Sequence, residues 1–416
     1  MFYTFVFFQM FGFRTSRQFR SSPGNIAWRK FRKNTTAMTG LVWILMSAIL
    51  AVAGYLVTPD ATPLANHQQL EIAAEKPGFK VDVLHIRKNI RTQEPMIIRK
   101  MLFGSPLPYT TIPLQSWLFT NNVLRYETWS GAPGYPGPES EASLWDVAFA
   151  LPEGALPEVN PEGEYVLTDL YGTTHRVTLP ALQEKVRDNH IRTKRFLLGT
   201  DRFGRDMLSQ LVIGTRVSLS VGFIAVLISL VIGLGLGSLA GFFRGRLDDF
   251  IVWLINVVWS IPTLLLVIAI TFALGKGFWQ VFVAVGLTMW VEVARLVRGQ
   301  VISLREKEYV ESARALGLSS LRIIRRHILP NIMGPVVVIS AANFASAILI
   351  EAGLSFLGIG VQPPMPSWGT MIRDHYGYII LNKAYLAVLP GLFIMLTVLA
   401  FMLVGNGLRD ALEKQG

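Results

Sequence analysis

VSLSVGFIAVLISLVIGLGLGSLAGFF, residues Val217 to Phe243, runs for 27 residues without a charged side chain. About 20 apolar residues in helical form cross a hydrocarbon core of about 30 Å. In that core the backbone must satisfy its own hydrogen bonds, so the stretch reads as a membrane-spanning helix. Outward from it the signal repeats. Asn34 to Pro59, Phe250 to Gly275, His327 to Ile350 and Ala384 to Leu408 are also long and free of Asp, Glu, Lys and Arg, and Gly277 to Val291 is a shorter block of the same kind. The 416-residue chain is 51% hydrophobic and 16% charged, a membrane composition. We expect an all-α polytopic membrane protein with six transmembrane helices, at about residues 37–57, 217–243, 250–274, 277–298, 332–353 and 385–405.

Lys and Arg outnumber Asp and Glu by 39 to 28, a net charge of +11 that raises the question of nucleic acid. The positions of the basic residues answer it. Arg14, Arg17, Arg20, Arg29, Lys30, Arg32 and Lys33 precede the first span. Arg295, Arg298, Arg305, Lys307, Arg314, Arg322, Arg325 and Arg326 lie between the fourth and fifth. Short basic segments flanking spans stay in the cytoplasm. Two segments on one side require an even number of crossings between them, which makes Gly277 to Val291 a true span, extended through Glu292 and Arg295. Both termini are then cytoplasmic, and nucleic acid is not a partner. The leading MFYTFVFFQMFGF precedes its basic cluster, the reverse of a secretory signal, and reads as an interfacial segment or an overlong start.

Residues 1–36 form a basic N-terminal segment, 58–197 an insert, and 198–416 a helical core. The insert is polar and Pro-rich and has no uncharged spanning stretch. VDVLHI (Val81 to Ile86) and EPMIIRKMLF (Glu94 to Phe103) read as strand-like, and EYVLTDLYGTTHRVTLP (Glu164 to Pro180) as a hairpin turning at Tyr171-Gly172. We expect a β-rich extracytoplasmic domain there, with GAPGYPGPESE (Gly131 to Glu141) as a solvated loop.

EYVESARALGLSSLRIIRRHILPN, Glu308 to Asn331, is too polar for the membrane interior. Tyr309, Ala313 and Leu316 fall on one face of a helix, and Gly317 suits the left-handed position that ends it. Ser319 or Ser320 can cap a second helix with a stripe of Leu321, Ile324 and Ile328, interrupted at Pro330. On these grounds alone the segment fits equally a basic amphipathic loop on the headgroups.

The residues Glu311, Ser312, Ala313, Gly317, Leu329 and Pro330 resemble the EAA loop of ABC-importer permeases. Ser312 replaces the first Ala, and His327 stands at the usual Ile position. WRKFRKN (Trp28 to Asn34), LGTDRFGRDMLSQLVIGTRVSLSVG (Leu198 to Gly222) and EAGLSFLGIGVQPPMPSWGTMI (Glu351 to Ile372) extend the resemblance, in order, to the C-type permeases of dipeptide, oligopeptide and nickel importers. That resemblance implies a subunit of an ATP-driven importer in a bacterial or archaeal-type inner membrane, paired with a paralogous permease, two cytoplasmic ATP-binding subunits and an extracytoplasmic substrate-binding protein. It implies that a loop over residues 305–331 couples to the ATPase through Glu308, Tyr309, Glu311, Ser312, Ala313, Arg314, Leu316 and Gly317, supported by His327, Leu329 and Pro330. Glu311 and Arg314 would pair with its surface, while Ala313 and Leu316 fill its groove.

Other residues are read from their own chemistry. Asp201 or Thr200 can cap a turn, and Arg205 can pair with Asp206 at the outer surface; a divalent ion wants more oxygen ligands than these two Asp offer, so no metal is expected. Glu351 reads as the outer end of the fifth span and Trp368 as an interfacial side chain, and with Asp201, Arg205 and Asp206 they are candidates for an outer gate or docking site. Asn256 and Ser260, with Ser340, Asn343 and Ser346, either line a path or bond neighbouring helices. The centres of the spans carry no acid, Glu292 being placed at the inner end of its helix beside Arg295 and Arg298. This weighs against a proton-coupled carrier, and the absence of paired acids or His-acid pairs weighs against an intramembrane enzyme. There is no Cys, no HExxH-like spacing and no Gly-rich phosphate loop. ATP and Mg are therefore expected on the partner ATPase, and no cofactor in this chain.

Overall fold

The computed structural model describes residues 23–412 except 93, 94, 133 and 276. The leading apolar stretch and Arg14, Arg17 and Arg20 lie outside these described residues. A basic helix α1 (Pro23–Lys33) meets the first span α2 (Thr35–Val57) at Asn34, whose Oδ1 accepts the Ala37 amide at 3.1 Å and caps α2.

The insert contains β1 (Phe79–Arg87), α3 (Ile97–Phe103), β2 (Tyr109–Thr120), β3 (Val123–Thr128), β4 (Glu139–Ser143), α4 (Leu144–Ala148), β5 (Glu158–Val159), β6 (Tyr165–Thr168), β7 (Thr174–Val177), α5 (Leu179–Lys185) and β8 (Ile191–Phe196). Five strands form an antiparallel sheet in the order β4-β3-β2-β1-β8, and β5-β6-β7 form a second. Leu84, Leu114 and Leu124 from the larger sheet pack with Leu144 and Val147 of α4 and Leu182 of α5. The β6–β7 turn is held by Asp169 Oδ1, which accepts the amides of Tyr171 and Thr173, each at 2.9 Å, with Gly172 in the left-handed region. Two readings change. EPMIIRKMLF is not strand-like where it is described: Ile97–Phe103 is helical, and its last carbonyls are taken by Arg216 rather than by a neighbouring strand. The loop from Gly131 ends early, because Glu139 onward pairs with β3 as an edge strand.

The membrane part begins with α6 (Met207–Phe243), 37 residues long and thus about 55 Å at 1.5 Å per residue. It starts ten residues before the expected span, since Asp206 caps it and Met207 and Leu211 pack into a cluster on the insert side. The third span is not one helix. Helices α7 (Gly245–Trp259) and α8 (Thr263–Leu274) meet at 93° across Ser260–Pro262, where Pro262 has no amide to continue the ladder. Next come α9 (Phe278–Arg305), α10 (Glu308–Ala315), α11 (Ser320–Ile323), one wide turn at Ile324–Ile328, and α12 (Leu329–Phe356). Pro330 lies in the first turn of α12 and breaks nothing, because that wide turn joins α11 to α12 in one helical run. The chain closes with α13 (Trp368–His375), a short turn of helix, and α14 (Tyr385–Leu412). Among the described residues five helices are individually long and apolar enough to cross a membrane, with a sixth crossing if α7 and α8 count as one.

The seam between α6 and α9 is the most extensive helix contact in the core. Gly233, Gly237 and Gly241 recur every four residues on one face of α6. A Cβ on Gly233 would lie 2.5 Å from Val293 Cβ, on Gly237 2.5 Å from the Ala294 oxygen, and on Gly241 2.8 Å from the Arg298 oxygen. Small residues at this spacing let two backbones touch, and in lipid such packing substitutes for the missing hydrophobic drive. Gly237→Leu must part the helices, at roughly 1–3 kcal/mol for overpacking, and is expected to lower the unfolding temperature in detergent. Gly235→Leu, whose Cβ meets nothing within 4 Å, is the matched control. Equal behaviour of the two variants would refute the seam.

Candidate coupling face, membrane cavity and outer mouth

Helix α10 ends as its glycine requires. Gly317 has φ +75°, its amide donates to the Arg314 oxygen at 3.0 Å, and the Leu318 amide reaches the Ala313 oxygen at 3.2 Å. These two bonds form a Schellman closure and fix the turn into α11. The expected apolar face divides. Ala313 is buried beside Val310, and both pack with Phe242, Val297, Val301, Ile323 and Ile328. Tyr309 and Leu316 point away, Leu316 being 82% exposed. Ala313 therefore belongs to the subunit's own core and has no surface to offer a partner's groove. The outward stripe is Tyr309, Ser312 and Leu316, at spacings of three and four, flanked by exposed Glu308, Glu311 and Arg314. Arg314 also lies 5.7 Å above the Phe242 ring, tying α10 to the end of α6. In the second stripe Ile323, Ile324 and Ile328 are buried, whereas Leu321 is exposed. His327 and Leu329 are half-buried and Pro330 exposed, and the His327 oxygen accepts the Asn331 Nδ2 at 2.6 Å.

A cavity of about 230 Å³ opens where α7 and α8 bend, lined by Trp259, Thr263, Thr288, Glu292, Ser346 and Ile350 among others. Of the five polar residues expected along a path, Ser346 lines it. Asn256, Ser260, Ser340 and Asn343 do not. Ser260 and Ser340 return their hydroxyls to the Val257 and Val336 oxygens at 2.8 and 2.6 Å, and Asn343 is buried with its Nδ2 unpartnered. Glu292 stands elsewhere than expected. Since α9 runs from Phe278 to Arg305, Glu292 lies near the middle of that helix and not at its end. Nor does it pair along its helix. Arg298 makes a two-pronged bond to Asp248, Nε–Oδ1 2.6 Å and Nη2–Oδ2 2.7 Å, while Arg295 sits 3.1 Å above the Trp259 ring. Glu292 is exposed to the cavity without an ion-pair partner among the described residues. One signal was available: it is the only acidic residue between Asp249 and Glu306.

On the insert side the sequence from Leu198 folds into a tight, buried turn. Asp201 Oδ1 accepts the amides of Phe203 and Arg205 at 2.8 and 2.9 Å, and Arg205 Nε donates to Oδ2 at 2.6 Å. Arg205 thus pairs with Asp201, not Asp206, and its Nη1 continues to Asn66 Oδ1 at 3.0 Å. Asp206 instead caps α6 by accepting from the amide and hydroxyl of Ser209 at 2.7 and 2.6 Å. Burial pushes the Asp206 carboxyl above its ordinary range, against the lowering by Ser209. Gly204 must be Gly, since its φ is +70° and a Cβ would overlap the Gln69 oxygen. Trp368 is fully buried rather than interfacial, its Nε1 donating to the Leu211 oxygen at 3.1 Å over Gly214. Glu351 is not at a surface either: it is fully buried and accepts the Ser355 hydroxyl at 2.7 Å. Asp201, Arg205, Asp206 and Trp368 meet in one packed block under the insert, and Glu351 lies deeper along α12.

Residues 233–415 match the family model described as the binding-protein-dependent transport system inner membrane component. Residues 22–75 match the N-terminal transmembrane domain of oligopeptide transport permease C. The glutathione transport system permease protein GsiD of Pectobacterium atrosepticum is 43% identical over 216 residues, 52% of this chain and 71% of that one. The di/tripeptide transport system permease protein DppC of Pseudomonas aeruginosa is 45% identical over 220 residues, 53% of this chain and 72% of that one. Among solved structures, a chain of the MetNI methionine ABC transporter covers 50% of this chain and 98% of its own length at 22% identity, with a TM-score of 0.42. With five apolar helices long enough to cross a membrane and a bent pair that makes a sixth crossing if counted as one, a helix-turn-helix following α9, and relatives matched over more than two thirds of their length, the chain belongs to the binding-protein-dependent permeases, the membrane-spanning subunits of ATP-driven importers.

Proposed function

We propose that this permease carries di- or oligopeptides and forms half of a path completed by a paralogous permease. An extracytoplasmic binding protein delivers the cargo, and two cytoplasmic ATPase subunits, which hold the ATP and Mg, drive the cycle. Both chain termini and the α10 loop face the cytoplasm on this reading. The observation that carries it is the outward stripe Tyr309, Ser312 and Leu316 on a helix whose other face is locked by buried Val310 and Ala313. A helix held in this way moves as a rigid body with α9 and α12, so a push on Leu316 becomes a tilt of both. ATP binding then selects one permease orientation only through its differential affinity for the two. The peptide names of the relatives support the cargo class. Glu292 supports it too, by offering a carboxylate in the cavity to the ammonium end of a peptide.

Leu316→Asp combined with Tyr309→Ala leaves the packed face of α10 untouched, so the subunit should insert normally while losing ATPase copurification and at least about tenfold in ATP-driven uptake, as expected for loss of an interface anchor. Unchanged copurification and uptake would defeat the coupling assignment. Glu292→Gln removes one charge at constant shape. Uptake of peptides with a free ammonium terminus should fall about tenfold, the scale of one charge-assisted hydrogen bond, while N-acetylated peptides are carried as before. An equal effect on both would remove Glu292 from cargo recognition.

A further inference from the structure

Helix α3 has no buried residue. Met96, Ile97, Ile98 and Phe103 are 85%, 74%, 70% and 67% exposed, a concentration of apolar surface of a kind that soluble domains keep covered. Its neighbours Arg99 and Lys100 add two positive charges. Elsewhere in the insert, exposed apolar side chains such as Leu118 and Leu156 stand singly.

The position of α3 identifies what covers it. Arg216 of α6 donates from Nε to the Ala51 oxygen at 2.6 Å and from Nη2 to the Val52 oxygen at 3.1 Å, both on the first span α2. The same guanidinium donates from Nη1 to the Leu102 oxygen and from Nη2 to the Met101 oxygen, at the end of α3. The end of α3 is therefore level with Ala51 and Val52, while α2 continues as helix to Val57, about 7 Å further at 1.5 Å per residue. The depth is fixed by more than one residue. The Ser105 amide donates to the Ala61 oxygen at 2.8 Å, and a Cβ on Gly104 would come within 2.6 Å of that oxygen. At this level α2 exposes Ile49, Val52, Leu56 and Val57, and α3 is in contact with α2.

We propose that α3 lies in the leaflet on the insert side, with Met96, Ile97, Ile98 and Phe103 among the acyl chains and Arg99 and Lys100 reaching lipid phosphates, so that the insert is pinned to the bilayer as well as to the core. Short basic apolar helices bind membranes in this manner, their long cationic side chains extending to the headgroups. The Arg216 contacts fit the same picture, since a charge at this depth is tolerated when backbone carbonyls surround it.

The natural chain has no Cys, so single-Cys variants take one spin label each. Met96→Cys, Ile98→Cys and Phe103→Cys, with Leu156→Cys as the solvated reference, are placed in the full chain in nanodiscs of phosphatidylethanolamine and phosphatidylglycerol. Collision with oxygen, which concentrates in acyl chains, is compared with collision with a water-soluble nickel chelate. A several-fold higher oxygen-to-nickel ratio at the three α3 sites than at Leu156 is the expected result. Ratios equal to that at Leu156 place α3 in water and overturn the proposal. Labels shielded from both reagents place it against protein and overturn it equally.

Discussion

The contact between α6 and α9 governs what the core can do. Because Gly233, Gly237 and Gly241 present no side chain, Val293, Val297 and Val301 of α9 sink against α6 at spacings of four. That fixes the rotation of α9 about its axis. Glu292 is then turned toward the bend between α7 and α8, and the loop-side end of α9 presents Val297 and Val301 to Val310 and Ala313. The cavity and the seating of α10 are consequences of one close approach.

The insert-side end is built on the opposite principle, with buried polar groups rather than absent side chains. Asp201, Arg205 and Asp206 are all buried, and nearly every oxygen and nitrogen is spent on a named partner. Asp206 Oδ2 is an exception, buried without a hydrogen bond. Satisfied polar networks of this sort specify one arrangement and resist sliding. The start of α6 is thereby welded to the segment following the first span: the Ser209 hydroxyl accepts the Asp60 amide at 3.0 Å, and Gln210 Nε2 donates to the Leu64 oxygen at 3.1 Å.

The parts of the fold written in apolar run length were legible from residues alone, because lipid imposes a length and a charge rule on any span. Gly317 was legible for the same kind of reason, since few residues tolerate its φ. The errors fall where neighbours decide. Tyr309-Leu316 and Val310-Ala313 are adjacent stripes about 100° apart on one helix, and only the location of α9 and α12 determines which is buried. Trp368 has the composition of an interfacial residue, but the oxygen of Leu211 gives its indole a partner in the interior. Arg205 had two acids within reach, and the turn at Gly204 chose Asp201. The third span reads as one helix in the sequence, and its bend of 93° depends on what α8 packs against and not on Pro262 alone.

Helices α9 and α12 differ from the bent pair in what they can transmit. A broken span absorbs displacement at its corner, whereas α12 runs 28 residues, about 42 Å at 1.5 Å per residue, from the loop at Leu329 to Phe356. Its loop-side end shares a cluster with Val310 and Ala313, and near its far end lies buried Glu351, bonded to Ser355. Under the proposed coupling, a tilt imposed at α10 therefore arrives at the insert side through a single element, beside the block that contains Trp368 and the Asp201 turn. The cavity sits between that continuous helix and the bend. On that proposal one wall can move with α10 while the other yields, which is the asymmetry that a gate exposing its contents to alternate sides requires.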